Sequence, residues 1–184
     1  MYTTSSQTIG PYLHIGMTWA VNPQFAGPDV EGERIEVSGR IVDGDGKPVT
    51  DAMIEIWQAN AAGRYAHADD DRDLPLDASF TGWGRVITDD DGRFGFATVK
   101  PGPVPSPDGG VQAPHLNVTI FMRGLLKHLW TRIYFDGETA NARDPVLARV
   151  GPARSGTLIA KRTPNGFVWN VVLQGADETV FFDV

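Results

Sequence analysis

The stretch "GWGRVITDDDGRFGFATVK", residues 82–100, decides the fold class. On either side of an acidic run, apolar and polar residues alternate with a period of two, as a strand with one buried face requires. Asp90, Asp91 and Gly92 make the turn between them, with glycine where a positive φ is tolerated. The reading is two strands around a turn, and the same period recurs outward along the chain.

Toward the N-terminus, "RIEVSGRIVD" (34–43) alternates, "GDGKP" (44–48) is a turn, and "AMIEIWQAN" (52–60) alternates again. Toward the C-terminus, "HLNVTIFMRG" (115–124) and "LKHLWTRIYF" (126–135) form a further pair broken near Gly124. "TLIAKRTPNGFVWNVVL" (157–173) reads as a hairpin around Pro164-Asn165-Gly166, and "ETVFFDV" (178–184) closes the chain. One short helix is predicted near 144–150, with Asp144 as its N-cap, Pro145 at the first helical position and Gly151 as the stop.

Many short strands, punctuated by 21 glycines and 13 prolines, predict an all-β fold, an antiparallel β-sandwich over residues 35–184. Residues 1–34 lack periodicity yet carry Tyr2, Tyr12, Leu13, Ile15, Met17, Trp19 and Phe25. An arm this apolar is expected to pack against something, whether its own domain or another chain.

Composition narrows the function. A chain of 184 residues with 41% hydrophobic and 21% charged residues can bury a sizeable core. The net charge of −7 gives nucleic-acid binding no electrostatic support. The absence of cysteine excludes disulfides, zinc ribbons and thiol catalysis, and suits a reducing cytoplasm. No apolar leader precedes Arg34, the first lysine or arginine, and no run approaches 18 apolar residues. Neither a signal peptide nor a membrane helix is therefore expected.

Metal ligands could come only from His14, His67, His115, His128, the carboxylates and the tyrosines. His115 and Asn117 share one face of a strand, but a neutral amide is a poor ligand for a transition metal. "DDDRD" (69–73) lacks the spacing of an EF-hand loop and reads as a solvated loop. No nucleophile elbow or phosphate-binding glycine loop is present. Taken alone, these residues make no catalytic set.

Longer motifs say more. "SQTIGPYLHIG" (6–16), "IEIWQANAAGRYAH" (54–67), "GRVITDDDGRFGFATVKPGPVPSPDGG" (84–110), "APHLNVTIF" (113–121), "LWTRIYFDGE" (129–138), "TLIAKR" (157–162) and "ETVFFDV" occur in this order. Together they resemble the intradiol ring-cleaving dioxygenases, above all the protocatechuate 3,4-dioxygenases. The resemblance implies a mononuclear Fe(III) held by two tyrosines and two histidines, and oxygen insertion between the two hydroxyl-bearing carbons of a catechol. Of those ligand positions this chain keeps Tyr65 and His115, whereas Val104 and Asn117 stand at the other two. Gln112 replaces the family's arginine three residues before the first histidine.

The resemblance therefore implies that this chain holds no metal and has no catalytic residue of its own. It is similar to the metal-free α subunits of that family, whose iron-bearing β partners complete the site at the subunit boundary. By the same resemblance, Thr8, Gly10, Pro11, Tyr12 and Arg123 bind substrate, Fe(III) belongs to the β subunit, and αβ units form a symmetric, cytoplasmic oligomer. The implied reaction converts protocatechuate and O2 to 3-carboxy-cis,cis-muconate in aromatic catabolism, the β-ketoadipate pathway. Plainer readings stand beside these: Gly10-Pro11 as a turn, Arg123 as a surface ion pair, Tyr65 and His115 as packing groups. The rival function is a stand-alone β-sandwich that binds an aromatic ligand or a protein without catalysis. A self-sufficient dioxygenase is contradicted by Val104 and Asn117.

Overall fold

Inward-facing residues of the alternating runs form the core. The computed structural model describes residues 8, 10 and 12–183, apart from the side chains of residues 13 and 14. A short helix α1 (Tyr12–Gly16) precedes β1 (Arg34–Val42), in which Ile35, Val37 and Ile41 are buried while most of their neighbours face water. β2 (Met53–Trp57), β3 (Trp83–Ile87) and β4 (Arg93–Val99) follow, then the two-residue strands β5 (Val104–Pro105) and β6 (Val111–Gln112). β7 (His115–Phe121) and β8 (Leu129–Phe135) lead into α2 (Pro145–Val150) and α3 (Pro152–Ser155), and β9 (Ile159–Thr163), β10 (Gly166–Val168) and β11 (Val171–Val172) complete the order.

Nine strands form one sheet in the order β11-β1-β10-β9-β8-β7-β2-β3, with β4 paired to β1. The acidic turn at 90–92 is where this sheet curls upon itself. β3 pairs with β2 at one end and β4 pairs with β1 near the other, so the strands flanking the turn do not form a ladder together. The turn is closed by Gly92 N donating to Asp89 O at 2.9 Å, with Gly92 at φ 72°.

The all-β expectation holds, but pairing is mixed rather than antiparallel throughout. β1 runs parallel to β10 and β11, and β8 runs parallel to β9. Alternation has the same period in both orientations, so it cannot report strand direction. The β8–β9 crossover takes residues 136–158 and carries α2 and α3, as a parallel connection requires. The predicted helix is present: Asp144 accepts from Val146 N and Leu147 N, both at 2.9 Å, and Gly151 turns the chain at φ 81°. α1 and α3 were not anticipated. Among the described residues of "ETVFFDV", Phe182 forms an isolated bridge with Trp130.

Phe135, Phe167, Ile54, Ile56, Leu116 and Ile120 are fully buried in the main core. Each stabilises the fold by about 1.5–3 kcal/mol relative to exposure. Position 39, in the inward-facing register of β1, is glycine because a Cβ there would lie 1.8 Å from the carbonyl oxygen of Trp169. The later part of the arm joins this core: Phe25 is 1% exposed and packs on Phe96 at 5.0 Å between ring centroids. The earlier part does not, for Tyr12, Ile15 and Trp19 are 79%, 74% and 80% exposed. Among the described residues no helix is long and apolar enough to cross a membrane.

Candidate functional site

The loop after β2 is built to present Tyr65. Gln58 is wholly buried, donating to the carbonyls of Ala59 and Val99 at 3.0 and 2.9 Å and accepting from Thr98 Oγ1 at 2.7 Å. Asn60 accepts from Ala62 N and Arg64 N at 3.0 and 2.9 Å, an Asx-type turn that bends the chain back. Gly63 completes the bend at φ 81°, where a Cβ would lie 2.2 Å from Pro103 O. The Tyr65 ring then stacks on Trp57, 5.7 Å between centroids and 8° between planes. Its backbone N–H donates to Asp70 Oδ2 at 2.7 Å.

Beside this stack lies a cleft of about 730 Å³, bounded by Trp57, Tyr65, His67, Arg72, Val104 and Pro105. The acidic loop is not merely solvated, as expected from sequence. Asp69 and Asp71 are exposed, but Asp70 is nearly covered, paired with Arg72 at 2.6 Å while holding Tyr65. Arg72 beside it holds the Asp70 carboxyl far below the usual carboxylate range.

Behind the cleft, β7 and β8 place four side chains in register: Asn117 opposite Arg132, and His115 opposite Tyr134. Asn117 Nδ2 donates to Trp57 O at 3.3 Å and to the Tyr65 hydroxyl at 3.4 Å. His115 is 3% exposed, and its Nδ1 donates to Ala113 O at 2.7 Å, which fixes the neutral tautomer. Burial, then the Arg132 charge, depresses His115 to about 4. Burial pushes the Tyr65 hydroxyl up, outweighing the Asn117 hydrogen bond and the Arg132 charge, so a phenol stands there rather than a phenolate.

Arg132, which sequence reasoning passed over, organises this layer. Its Nη1 donates to Gln112 Oε1 at 2.6 Å and to the Tyr134 hydroxyl at 3.2 Å. Tyr134 passes its own proton toward Asp144 Oδ1 at 3.1 Å, and Asp144 Oδ2 accepts from Ala113 N at 2.8 Å. Asp144 therefore caps α2 and anchors the site at once. The signal available in sequence was the pairing of "HLN" with "TRIY", which sets Arg132 across from Asn117.

This donor set does not fit a ferric ion. Val104 is 4% exposed and offers no donor atom, and Asn117 offers only a neutral amide, spent on Tyr65 and Trp57, which leaves Tyr65 and His115 as two of four ligands. Among the described residues no three His, Asp or Glu side chains are grouped as a metal would need.

The residues assigned to substrate lie elsewhere. Thr8 Oγ1 accepts from Gly124 N at 3.1 Å and donates to Met122 O at 3.4 Å, so it clasps the turn that carries Arg123. Arg123 is exposed and paired with Asp51. Gly10 is exposed with nothing within 4 Å of an added Cβ, and Tyr12 points into solvent. Pro11 lies outside the described residues. The structure thus brings Thr8 to the Arg123 turn, and no contact among the described residues explains Gly10 or Tyr12.

Comparison with known proteins agrees with the fold and the motifs. A family model described as Dioxygenase matches residues 16–175. The protocatechuate 3,4-dioxygenase alpha chain of Burkholderia cepacia is 43% identical over 198 residues, covering 98% of this chain and 97% of that one. The beta chain of the same organism is 39% identical over 158 residues, covering 80% and 67%. Among solved structures, the dioxygenase domain of a carbohydrate-binding fusion from Streptomyces sp. SirexAA-E is 26% identical, with a TM-score of 0.63, over 85% of this chain and 89% of that one.

Proposed function

The chain belongs to the dioxygenase family, in its intradiol branch, and from that premise we propose that it is the metal-free α subunit of a protocatechuate 3,4-dioxygenase. The observation that carries this reading is the match, over nearly the full length of both chains, to an α chain, in a molecule with Val104 and Asn117 where the resemblance places two of the four iron ligands. The β chain that is 39% identical is the model for the partner. Fe(III) bound by that partner would supply chelation of the two catechol hydroxyls and activation of the ring for attack by O2. The product is 3-carboxy-cis,cis-muconate, formed in the cytoplasm within aromatic catabolism.

In this reading the residues of the present chain bind and orient. Arg123 reaches the substrate carboxylate with charge-assisted hydrogen bonds, and Thr8 holds the Arg123 turn in place. Gly10, Pro11 and Tyr12 lie along the boundary, where the partner's close approach makes use of the missing Cβ at Gly10. Residues 1–34 form the arm, whose earlier part reaches the partner while Phe25 stays in this chain's core, and residues 35–184 form the domain, whose curled sheet serves as one half of the αβ unit. Exposed Tyr12, Ile15 and Trp19 supply part of an apolar contact, and half-exposed Trp83 and Trp130 supply more. An obligate interface needs about 2,000 Å² or more. The αβ units then associate with closed symmetry.

The test is co-expression with a β chain of the same organism. The complex should contain one iron per β chain and cleave protocatechuate, whereas this chain alone should be colourless and inactive. Iron-dependent cleavage by the chain alone, or persistent failure to co-purify with any β chain, would remove the proposal.

A further inference from the structure

We propose that Asn165, at the tip of the β9–β10 hairpin, is a site of spontaneous deamidation, where the backbone nitrogen of Gly166 converts the side-chain amide to a carboxylate through a cyclic imide. The chemistry requires neither a partner nor an iron centre.

Sequence and fold together single out this asparagine among the six of the chain. Asn22 precedes Pro23, which has no N–H to give up. Asn60, Asn117, Asn141 and Asn170 precede alanine or valine, whose Cβ crowds the attacking nitrogen. Only Asn165 precedes glycine. The other five side chains are also committed. Asn22 Oδ1 accepts from Gln24 N at 3.2 Å, Asn141 Nδ2 donates to Phe135 O at 2.9 Å, and Asn170 Oδ1 accepts from Arg40 N at 3.1 Å. Asn60 and Asn117 are engaged around Tyr65. Asn165 is exposed, and its side chain makes no hydrogen bond to any described residue.

The turn lets amide and nucleophile meet. Thr163 and Gly166 are the first paired residues of the hairpin, so Pro164 and Asn165 form a two-residue turn. Neither has a positive φ, which excludes the I′ and II′ turns whose twist matches that of the strands. Gly166 follows at φ 130°, and a Cβ there would lie 2.3 Å from Glu36 O. Conformation and close approach both demand glycine. The fold thus imposes the one residue that leaves the backbone nitrogen unhindered.

The step needs only water. The Gly166 amide loses its proton to solvent base and attacks Asn165 Cγ. A C–N bond forms there, and the side-chain nitrogen takes up a proton and leaves as ammonia. Water then opens the five-membered imide at either carbonyl, giving aspartate or isoaspartate. No oxidant or reductant takes part.

The two products differ in consequence. Aspartate adds one negative charge at an exposed turn, beside a groove bounded by Glu33, Glu36 and Arg162. Isoaspartate also lengthens the backbone by one carbon. That atom falls next to Gly166, where β10 begins to pair with β9 on one side and, from Phe167, with β1 on the other. Isoaspartate should loosen the parallel β1–β10 ladder, and aspartate should not.

The test is peptide-mapping mass spectrometry of the full chain, in the assembly it forms when purified, aged in neutral and in mildly alkaline buffer. Isoaspartate methyltransferase labelling is read on the peptide that carries residue 165. Conversion at Asn165 ahead of every other asparagine, faster at the higher pH, is the expected result, and Asn170, exposed but held by Arg40, should stay an amide. Asn165→Gln should abolish labelling of that peptide. Asn165→Asp should melt like the unmodified chain, whereas the isoaspartate-containing fraction should melt lower. Gly166→Ala is no control, because position 166 is strained for any other residue. An intact Asn165 in the folded assembly while the urea-unfolded chain converts, or equal conversion at Asn170, would overturn the proposal.

Discussion

The side-chain amide of Asn117 donates to the hydroxyl of Tyr65 across 3.4 Å, and the same nitrogen reaches the carbonyl of Trp57 at 3.3 Å. By resemblance these two positions would be metal ligands; here they are donor and acceptor to one another. The bond keeps a protonated, largely buried phenol satisfied without any cation. Loss of one ligand has been absorbed by a hydrogen bond to another.

Restoring the ligands alone should therefore fail. Val104→Tyr with Asn117→His puts back the missing donor types, yet Arg132 still faces position 117 and its charge reaches both Tyr65 and His115. The double variant is expected to bind no ferric ion. Adding Arg132→Gln should allow iron to bind, with a visible ferric–tyrosinate band. Iron analysis and absorbance decide the matter, and stoichiometric iron in the double variant would show that Arg132 is no barrier. Packing a tyrosine at the buried Val104 site costs about 1–3 kcal/mol, so melts accompany the measurement.

Arg123 is held by Asp51, and that pairing predicts opposite effects from two substitutions. In the αβ complex, Arg123→Ala should raise KM for a carboxylated catechol by up to about 10²-fold, the scale of hydrogen bonds to a charged group. Asp51→Asn frees the guanidinium and should lower KM. Catechol without a carboxylate should respond to neither. A KM for protocatechuate that ignores both changes would place Arg123 outside the substrate pocket.

What could be read from sequence was local. The all-β class, the turn at 90–92 and the α2 caps follow from a period of two and from Asp144, Pro145 and Gly151, each acting within a few residues. Strand direction was hidden because alternation is identical in parallel and antiparallel ladders, as the β1–β10 and β8–β9 pairs show. The loss of donors at Val104 and Asn117 was legible by resemblance, but the role of Arg132 depends on a register fixed by tertiary pairing. Asp70 was submerged in an acidic run, although only it among its neighbours turns inward to hold Tyr65.

The arm also carries a stability prediction. Gly84 leaves room for Phe25, for a Cβ at position 84 would lie 1.9 Å from that ring. Gly84→Ala should expel Phe25 from a site where it is 1% exposed and lower the melting temperature about as far as Phe25→Ala, which should cost about 3–5 kcal/mol. The two changes share one contact, so the double variant should be little worse than either single one. Additive losses in thermal or denaturant unfolding would show that Gly84 serves something other than Phe25.

Acid should loosen the same layer through His115. Its neutral ring is fixed by the bond to Ala113 O and faces Arg132, Tyr134 and Asp144, and its pKa in the fold is about 4. The unfolded imidazole takes up its proton near pH 6.5, so between these values the unfolded chain binds more protons than the folded one. Stability tied to this group is fully present above pH 6.5 and is lost as pH falls toward 4, by about 3 kcal/mol over that window. His115→Asn keeps a donor in the position of Nδ1 while removing the titration. The variant should be less stable at pH 7, where its smaller side chain leaves a cavity, yet should show a shallower decline between pH 6.5 and 4. Denaturant unfolding at several pH values measures both slopes, and parallel curves for the two proteins would remove His115 as the source.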